Sequence, residues 1–169
     1  MTATRPTHPL RPFMPADTMA LRELFAQSIE ELTQDDYDED QRAAWAAMAF
    51  DAPAFGKRLG GMVTLVVQIE GEYAGFGSLK DNTVLDLLFV HPHHEREGIG
   101  TAIADALERI AAARGASEIS VDASETAAPF FEERGYVGMQ RNSIPLDDQW
   151  LTNTTMKKKL TPIGSGVPS

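Results

Sequence analysis

A strand pattern that passes through a glycine turn into a helix pattern is the feature that most constrains this chain. Val84–Val90 is apolar apart from Asp86, and His91-Pro92 ends the run. The charged residues 93–97 lead to Gly98-Ile99-Gly100-Thr101, after which apolar residues recur at helical spacing. The pattern predicts a strand, a glycine turn and a helix that packs one face on a sheet and ends near Gly115.

The glycine turn is suited to binding an anion. The first N–H groups of a helix have no partner inside it and lie at the positive end of its dipole. Gly98 and Gly100 lack the Cβ atoms that would keep a pyrophosphate away from this backbone. Two glycines alone are a weak motif, because Ile103 replaces the third glycine of the dinucleotide fingerprint and the sequence contains no P-loop motif.

Periodicity and turn residues predict the other elements in order. We expect one domain over residues 1–160 and a disordered Gly/Pro/Ser-rich tail over 161–169. Three strands joined by tight turns and followed by a long helix indicate a mixed α/β (α+β) fold. The predicted strands are Leu10–Met14, Met62–Ile69, Tyr73–Leu79, Val84–Val90, Glu118–Asp122, Tyr136–Ile144 and Trp150–Leu160. The further predicted helices are Thr18–Leu32 with Asp17 as its cap, one that begins within Asp35–Asp40 and carries Trp45 and Met48, Ala54–Leu59, and Glu125–Arg134.

The net charge, the absence of cysteine and the lack of long apolar runs disfavour several kinds of binding partner and site. The formal net charge of −10 disfavours a nucleic-acid backbone as the main partner. An acidic surface would attract cationic amines; the alternative interpretation is that the charge only keeps the protein in solution. The absence of cysteine excludes disulfides and thiolate metal sites. No apolar run is long enough for a membrane span or a signal segment, so we expect a soluble cytoplasmic protein with no membrane partner.

Two motifs resemble the GNAT superfamily of acyl-CoA N-acyltransferases. Phe89-Val90-His91-Pro92, the charged loop and Gly98-Ile99-Gly100 are similar to its Gln/Arg-x-x-Gly-x-Gly/Ala motif after a hydrophobic strand. Val121–Tyr136 is similar to the second motif, with Ser124 at an Asn position, Ala127 at the Ala and Phe131 at a Tyr. The segments around Tyr37 and Trp150 resemble a bacterial YafP-like branch.

The resemblance implies the fold, the cofactor and its contacts. The fold would be a central, mostly antiparallel twisted sheet of about seven strands with helices on both faces. Acetyl-CoA would bind where the strands at Val84 and Glu118 splay apart. The implied cofactor-binding residues are Leu88, Phe89, Val90, Glu95, Arg96, Glu97, Gly98, Ile99, Gly100, Thr101, Ser124, Ala127, Phe130 and Phe131.

Two residues depart from the family pattern. The usual tyrosine that protonates the leaving CoA thiolate is Phe131 here, so the acid would be water, Tyr136, Tyr37 or absent. Glu95 replaces the usual Gln or Arg, and Arg96 is the cation placed to compensate. These departures leave open a CoA-binding sensor or regulatory module without turnover.

The implied reaction is direct attack of a primary amine on the thioester in a ternary complex, with an oxyanion donor near Phe89-Val90 at a strand bulge. Asp86 is the first candidate for the base. It is a lone acid in an apolar strand, and we expect it to share a face with Leu88 and Val90, although pairing with a basic residue would also explain it. The acceptor would be a small molecule or peptide, and Trp45, Phe50, Phe55 and Phe76 are candidates to line its pocket.

The remaining predictions concern metals and assembly. His91, His93 and His94 lie close in sequence, but no Asp, Glu or Cys follows at ligand spacing on a helix, so we expect no metal site. The final hairpin, residues 144–160, is the candidate element for pairing across chains in a homodimer.

Overall fold

The fold is a seven-stranded mixed sheet covered by helices on both faces, as described by a computed structural model for residues 8–161. The strands are β1 (Leu10–Pro12), β2 (Val63–Ile69), β3 (Glu72–Lys80), β4 (Val84–Val90), β5 (Glu118–Ser124), β6 (Val137–Leu146) and β7 (Gln149–Lys159). The helices are α1 (Thr18–Leu32), α2 (Glu39–Ala46), α3 (Ala52–Gly60), α4 (Ile99–Ala113) and α5 (Ala128–Glu133). Among residues 8–161, no helix has the length and apolar character needed to cross a membrane.

The sheet consists of two antiparallel halves that meet at one parallel junction. Its strand order is β1-β2-β3-β4-β5-β7-β6. Within the described residues, β4 and β5 pair only at Val84 and Ser120, and the two strands diverge beyond that point. The predicted mixed, mostly antiparallel sheet of seven strands is therefore confirmed, including the splay.

Each face of the sheet carries its own apolar core. On one face α4 packs through Ile99, Ile103 and Leu107, which are almost fully buried. On the other face α1 and α3 pack through residues such as Phe25 and Phe55. A Cβ added to Gly75 or Gly77 of β3 would lie only 2.7 or 2.6 Å from a side-chain carbon of Ile99 or Ile103. These glycines therefore let α4 lie directly against the sheet.

Most predicted elements form, with small shifts at their ends. The helix Thr18–Leu32 forms as predicted, but α2 begins at Glu39 after an Asp38 cap, and Met48 lies in a short 3-10 turn. In α5 the helix begins at Ala128 rather than Glu125. The predicted disordered tail lies almost wholly outside the described residues.

Asp17 is not the helix cap that the sequence predicts. Its carboxylate accepts no hydrogen bond from α1, and instead accepts from Arg11, from the Tyr73 hydroxyl at 2.7 Å and from the Met14 N–H at 2.7 Å. The side chain is almost fully buried. The hydrogen bonds from Arg11, more than any other contact, lower the pKa of Asp17 from 3.8 to about 2. The cluster fixes β1 and the start of α1 to β3.

Replacing Asp17 by Asn should destabilise the fold in a pH-dependent way. Because the folded pKa lies below the unfolded one, ionised Asp17 stabilises the fold above pH 3.8, and this stabilisation is lost as the pH falls toward 2. The shift corresponds to about 2 kcal/mol, so we expect a loss of roughly that size at pH 7 and a smaller one at pH 3. Urea unfolding at the two pH values measures this difference.

The matched control is Asp35→Asn, which removes one exposed carboxylate from the same half of the chain. This variant should lose little stability at either pH. A loss for Asp17→Asn that is equally large at pH 3 and pH 7 would contradict an ionised Asp17 as the source of the stabilisation.

Candidate active site

The splay between β4 and β5 opens into a cavity of about 400 Å³. Its walls come from α1, α2, both splayed strands, the start of α5 and the β6–β7 hairpin. Most of the wall is apolar or aromatic, with Phe25, Trp45 and Phe89 among its rings. The cavity therefore joins the parallel junction of the sheet to the layer formed by the first two helices.

All predicted site residues except Tyr136 either belong to one of two neighbouring groups or connect them. The first group lines the cavity and consists of Tyr37, Asp86, Leu88, Phe89, Ser124, Ala127 and Phe131. The second group forms the loop and first turn of α4, and consists of Glu95, Arg96, Glu97, Gly98, Ile99, Gly100 and Thr101. Phe130 and Val90 connect the two, since both lie 3.7 Å from a Cβ position at Gly100.

The start of α4 has the backbone geometry of an anion site. Arg96 and Gly98 both adopt left-handed conformations, with φ of 67° and 80°. Ala102 donates to the Gly98 carbonyl at 3.0 Å, which leaves the amides of residues 99–101 without an acceptor inside the helix. Ile99 has a buried side chain, so only its backbone is open to a ligand. The exposed Glu95 and Glu97 flank this turn and add negative charge beside it.

A β-bulge places Asp86 on the other face of β4 from the one predicted. Ser78 pairs with Leu87 and Leu79 with Leu85, so Asp86 is an extra residue in the strand. Leu88 and Val90 pack on the α4 side, whereas Asp86 contacts Arg58 of α3 on the opposite side. The expected shared face of Asp86, Leu88 and Val90 is therefore wrong, because the bulge breaks the alternation.

The bulge also lies away from its predicted position near Phe89-Val90. These two residues pair in regular register with Phe76 and Gly75 of β3. The irregularity on the β5 side is the loss of pairing after Val84. Any backbone donor to a ligand near Phe89 therefore arises from the splay.

Asp86 has a basic partner. Arg58 donates to Asp86 Oδ2 from Nη2 at 2.9 Å and from Nε at 3.3 Å, and both side chains line the cavity. The Asp86 side chain is 21% exposed and the Arg58 side chain 36%, so the pair sits in the wall within reach of water. Sequence reasoning allowed for a basic partner but gave no spacing signal for Arg58, which comes from a helix 28 residues upstream.

Tyr136 lies in the core beneath α4. The described residues that line the cavity do not include it, and its ring packs 5.0 Å from that of Phe131. Its hydroxyl donates to Glu108 at 2.8 Å, and burial raises the pKa of Tyr136 far above its usual range. Glu108 also accepts from Arg134 and Lys158. Because the Tyr136 proton is directed into this network, we do not include Tyr136 in the proposed mechanism.

The Tyr37 hydroxyl fastens the cavity wall. It donates to the Thr152 carbonyl at 2.6 Å and accepts from the Glu125 N–H at 2.9 Å, so it joins the segment before α2 to β7 and to the turn before α5. Burial raises the pKa of Tyr37. Because this hydroxyl already donates its proton to the Thr152 carbonyl, we assign Tyr37 a structural role in the cavity wall and no role as a proton donor.

Other predicted residues divide between the cavity and the core. Of the four candidate aromatic residues, Trp45 lines the cavity, Phe55 and Phe76 are buried in the core, and Phe50 is exposed. The Ser124 hydroxyl accepts from the Ala127 N–H at 3.1 Å, which caps the turn into α5. The acidic segment before α2 also has a structural role, since Asp38 accepts from the Gln41 N–H at 2.8 Å.

Tyr37→Phe should loosen this wall. The change removes two hydrogen bonds and leaves a part-buried N–H without its acceptor, so we expect a loss of about 1–3 kcal/mol in unfolding free energy. Amide exchange at Glu125 should also accelerate, because its N–H loses its partner. Tyr136→Phe, which removes the other buried phenol, should leave Glu125 exchange unchanged. Equal exchange rates at Glu125 in the wild type and Tyr37→Phe would contradict the fastening role.

Comparisons with known proteins agree with this geometry. The family model described as an acetyltransferase (GNAT) domain matches residues 33–160. A protein of Escherichia coli strain K12, named uncharacterized N-acetyltransferase YafP, is 29% identical over 150 residues, which cover 89% of this chain and 95% of that protein. The predicted resemblance to YafP is thereby confirmed.

Solved structures show the same fold. A crystal structure described as a GCN5-related N-acetyltransferase, aminotransferase class-II, from Rhodopseudomonas palustris is 46% identical with a TM-score of 0.91, covering 95% of this chain and 100% of that chain. PaiA N-acetyltransferase from Thermoplasma acidophilum, in complex with coenzyme A, shares the fold at 16% identity and a TM-score of 0.75, over 90% of this chain and 99% of that chain. With the family model matched over most of its length, the chain belongs to the acetyltransferase (GNAT) family.

Proposed function

We propose that this protein transfers an acetyl group from acetyl-CoA to a primary amine of a small molecule or peptide, by direct attack in a ternary complex. The observation that carries this proposal is the splay between β4 and β5, which connects the open amides of α4 to the cavity. Membership of an acetyltransferase family supports the reaction class. The relative of the same fold that was solved with coenzyme A supports the cofactor.

In this proposal the cofactor contacts both groups of predicted residues, those at the start of α4 and those that line the cavity. The pyrophosphate takes the amides of residues 99–101 and the turn at Arg96–Gly98, where backbone donors offset the nearby Glu95 and Glu97. The residues that would hold the pantetheine arm are Leu88-Phe89 and Ser124-Ala127, beside the edge of β4 that β5 leaves open. The amide groups of the arm then satisfy backbone polar groups that would otherwise lack a strand partner.

The chemistry needs a deprotonated amine and a stabilised oxyanion. The amine nitrogen attacks the thioester carbonyl carbon, the C–S bond of the intermediate breaks, and the thiolate leaves as CoA. Asp86 is the proposed base and takes the ammonium proton, with Arg58 holding its carboxylate in place. With Phe131 at the usual tyrosine position and the Tyr37 proton committed to Thr152, the second proton of the attacking nitrogen passes through water to the leaving thiolate.

The cavity wall also favours one kind of acceptor. On the side of α1, α2 and the hairpin it presents mainly apolar groups, including Leu32, Met48, Ile144 and Leu151. The charged pair Asp86–Arg58 lies on the strand side. An amine attached to an apolar or aromatic group fits this arrangement, with its nitrogen toward Asp86.

A second candidate function is a CoA-binding module without turnover. The specific observation in its favour is that neither Tyr37 nor Tyr136 has a hydroxyl proton directed into the cavity. Turnover assays separate it from the enzyme, because the sensor would bind CoA and transfer acetyl to no member of an amine panel.

Calorimetric titration with acetyl-CoA and with free CoA tests the cofactor site. We expect saturable micromolar binding of both, and a loss of about tenfold or more in Gly98→Glu, because the new carboxylate would face the pyrophosphate at the helix start. If the wild type binds neither acetyl-CoA nor free CoA, the acyltransferase proposal is wrong.

Gly115→Glu is the matched control for this titration. Gly115 follows the other end of α4 and also has a positive φ, 92° against 80° at Gly98, so the control adds the same charge and a similar backbone strain. Its affinity for acetyl-CoA should match the wild type. A comparable loss in Gly115→Glu would show that helix destabilisation explains the result.

Two variants that break the same ion pair from opposite sides test Asp86. If Asp86 is the base, Asp86→Asn should lower kcat roughly 100-fold or more, as loss of a general base does. Arg58→Gln breaks the same pair but keeps the carboxylate, so its kcat should fall much less. The measurement is acetyl transfer to an amine that the wild type accepts, at saturating acetyl-CoA. Equal losses in the two variants would assign Asp86 a structural role only.

A further inference from the structure

Two histidines and a glutamate outside the cavity lie close enough together to hold a metal ion. Potential ligand atoms of Glu72, His91 and His93 all lie within 4.8 Å of one another. The cluster lies on the β3 side of β4, whereas the cavity opens on the β5 side. This cluster of Glu72, His91 and His93, here called the His-Glu cluster, therefore lies outside the cavity and beside the turn that leads into α4.

The backbone already fixes the positions of the three ligands. Glu72 is the first residue of β3, and His91 follows β4, which pairs with β3. The His91 N–H extends this pairing by donating to the Ala74 carbonyl at 2.8 Å. His93 is brought back toward His91 by the 3-10 turn Pro92–His94, closed by a 2.8 Å bond from the His94 N–H to the His91 carbonyl. Binding an ion therefore requires side-chain rotations and no change of fold.

A neighbouring histidine orients the carboxylate. His94 bonds Glu72 Oε1 through Nε2 at 2.5 Å and Glu97 Oε1 through Nδ1 at 2.9 Å. One oxygen of Glu72 is thus held by His94 while Oε2 can face the imidazoles of the cluster. Hydrogen bonds of this kind orient ligating carboxylates in metal sites. The contact that an ion at His91 Nδ1 would displace is a 3.1 Å hydrogen bond from the His93 N–H.

We propose that the His-Glu cluster binds a divalent transition-metal ion such as Zn²⁺, with water in the remaining coordination positions. Two imidazoles and one carboxylate are a common ligand set for such ions when positions are left open. Metal–ligand bonds of about 2.0–2.2 Å place ligand atoms roughly 3.4 Å apart, so ligand atoms up to 4.8 Å apart must approach by up to about 1.4 Å. Glu72 and His93 are exposed at the surface and are able to make this movement.

The ion would act on the loop before α4. It would cross-link the first residue of β3 to the turn that leads into residues 95–98, and it would place positive charge beside Glu72 and Glu97 in a chain of net charge −10. Since it binds only the folded arrangement of these three side chains, it should also raise the unfolding temperature. This inference does not depend on the proposed acetyl transfer.

Calorimetric titration of tag-free, chelator-treated protein with zinc chloride tests the site. We expect one equivalent to bind to the wild type. Affinity should fall about tenfold or more in His93→Ala, which removes a ligand, and in Glu72→Gln, which replaces the anionic carboxylate by a neutral amide. Zinc should raise the unfolding midpoint of the wild type and have little effect on that of the two variants. Both residues are exposed, so circular dichroism should show an unchanged fold without zinc.

Glu23→Gln is the matched control, because it makes the same change as Glu72→Gln at an exposed glutamate of α1 that is not part of the cluster. Its zinc affinity should equal that of the wild type. The proposal is overturned if the wild type shows no saturable binding, if His93→Ala and Glu72→Gln bind zinc as tightly as the wild type, or if Glu23→Gln loses binding to the same extent.

Discussion

The end of pairing between β4 and β5 is the constraint on which the rest of the structure depends. Parallel strands that remained paired along their length would close the sheet and leave no cavity. Because pairing stops after Val84 and Ser120, backbone groups along the inner edge of each strand must find other partners. A ligand that carries its own amides can meet this need. The cavity proposed to hold the acetyl-CoA thioester is thus a consequence of a hydrogen-bond ladder that stops early.

The helix α4 compensates for the weak junction. It packs on β3 and β4 through Ile99, Ile103 and Leu107, and Glu108 on the same helix joins Arg134, Tyr136 and Lys158 from the other half of the sheet. Both halves are therefore attached to one helix, although the strands between them share a single backbone pair. The open amides at the start of α4 are held in a fixed position relative to the cavity.

The sequence predicted the sheet and the helices well because they depend on local periodicity and turn residues. The two motifs also keep their order and spacing, and five of their residues line the cavity: Leu88, Phe89, Ser124, Ala127 and Phe131. Their contacts with a cofactor stay predictions. Asp86 shows where this reasoning stops. Strict alternation along a strand predicts that the Asp86 side chain lies on the same face of β4 as Leu88. The bulge in the pairing of β4 with β3 places it on the opposite face. Its partner Arg58 comes from a helix whose contact with β4 is purely tertiary.

Hydroxyl and carboxylate roles were equally hard to predict. Asp17 precedes a helix and has the residue type of a cap, yet the nearby Arg11 and Tyr73 bind its carboxylate in preference to the helix amides. Glu72 was not recognised beside the three histidines because it lies 19 positions before His91, and only the pairing of β3 with β4 brings them together. Each case concerns a long-range contact, for which spacing along one element carries no signal.

The close approach of α4 to Gly75 and Gly77 has a consequence for the energetics of binding. With no side chain between helix and strand, α4 has little room to slide or tilt when a ligand arrives. The protein then orders few of its own groups on association, and a larger share of the contact energy is retained as affinity. A ligand bound by the amides at the start of α4 would therefore meet a nearly rigid surface, whereas this contact does not restrain the cavity walls formed by α1, α2 and the β6–β7 hairpin.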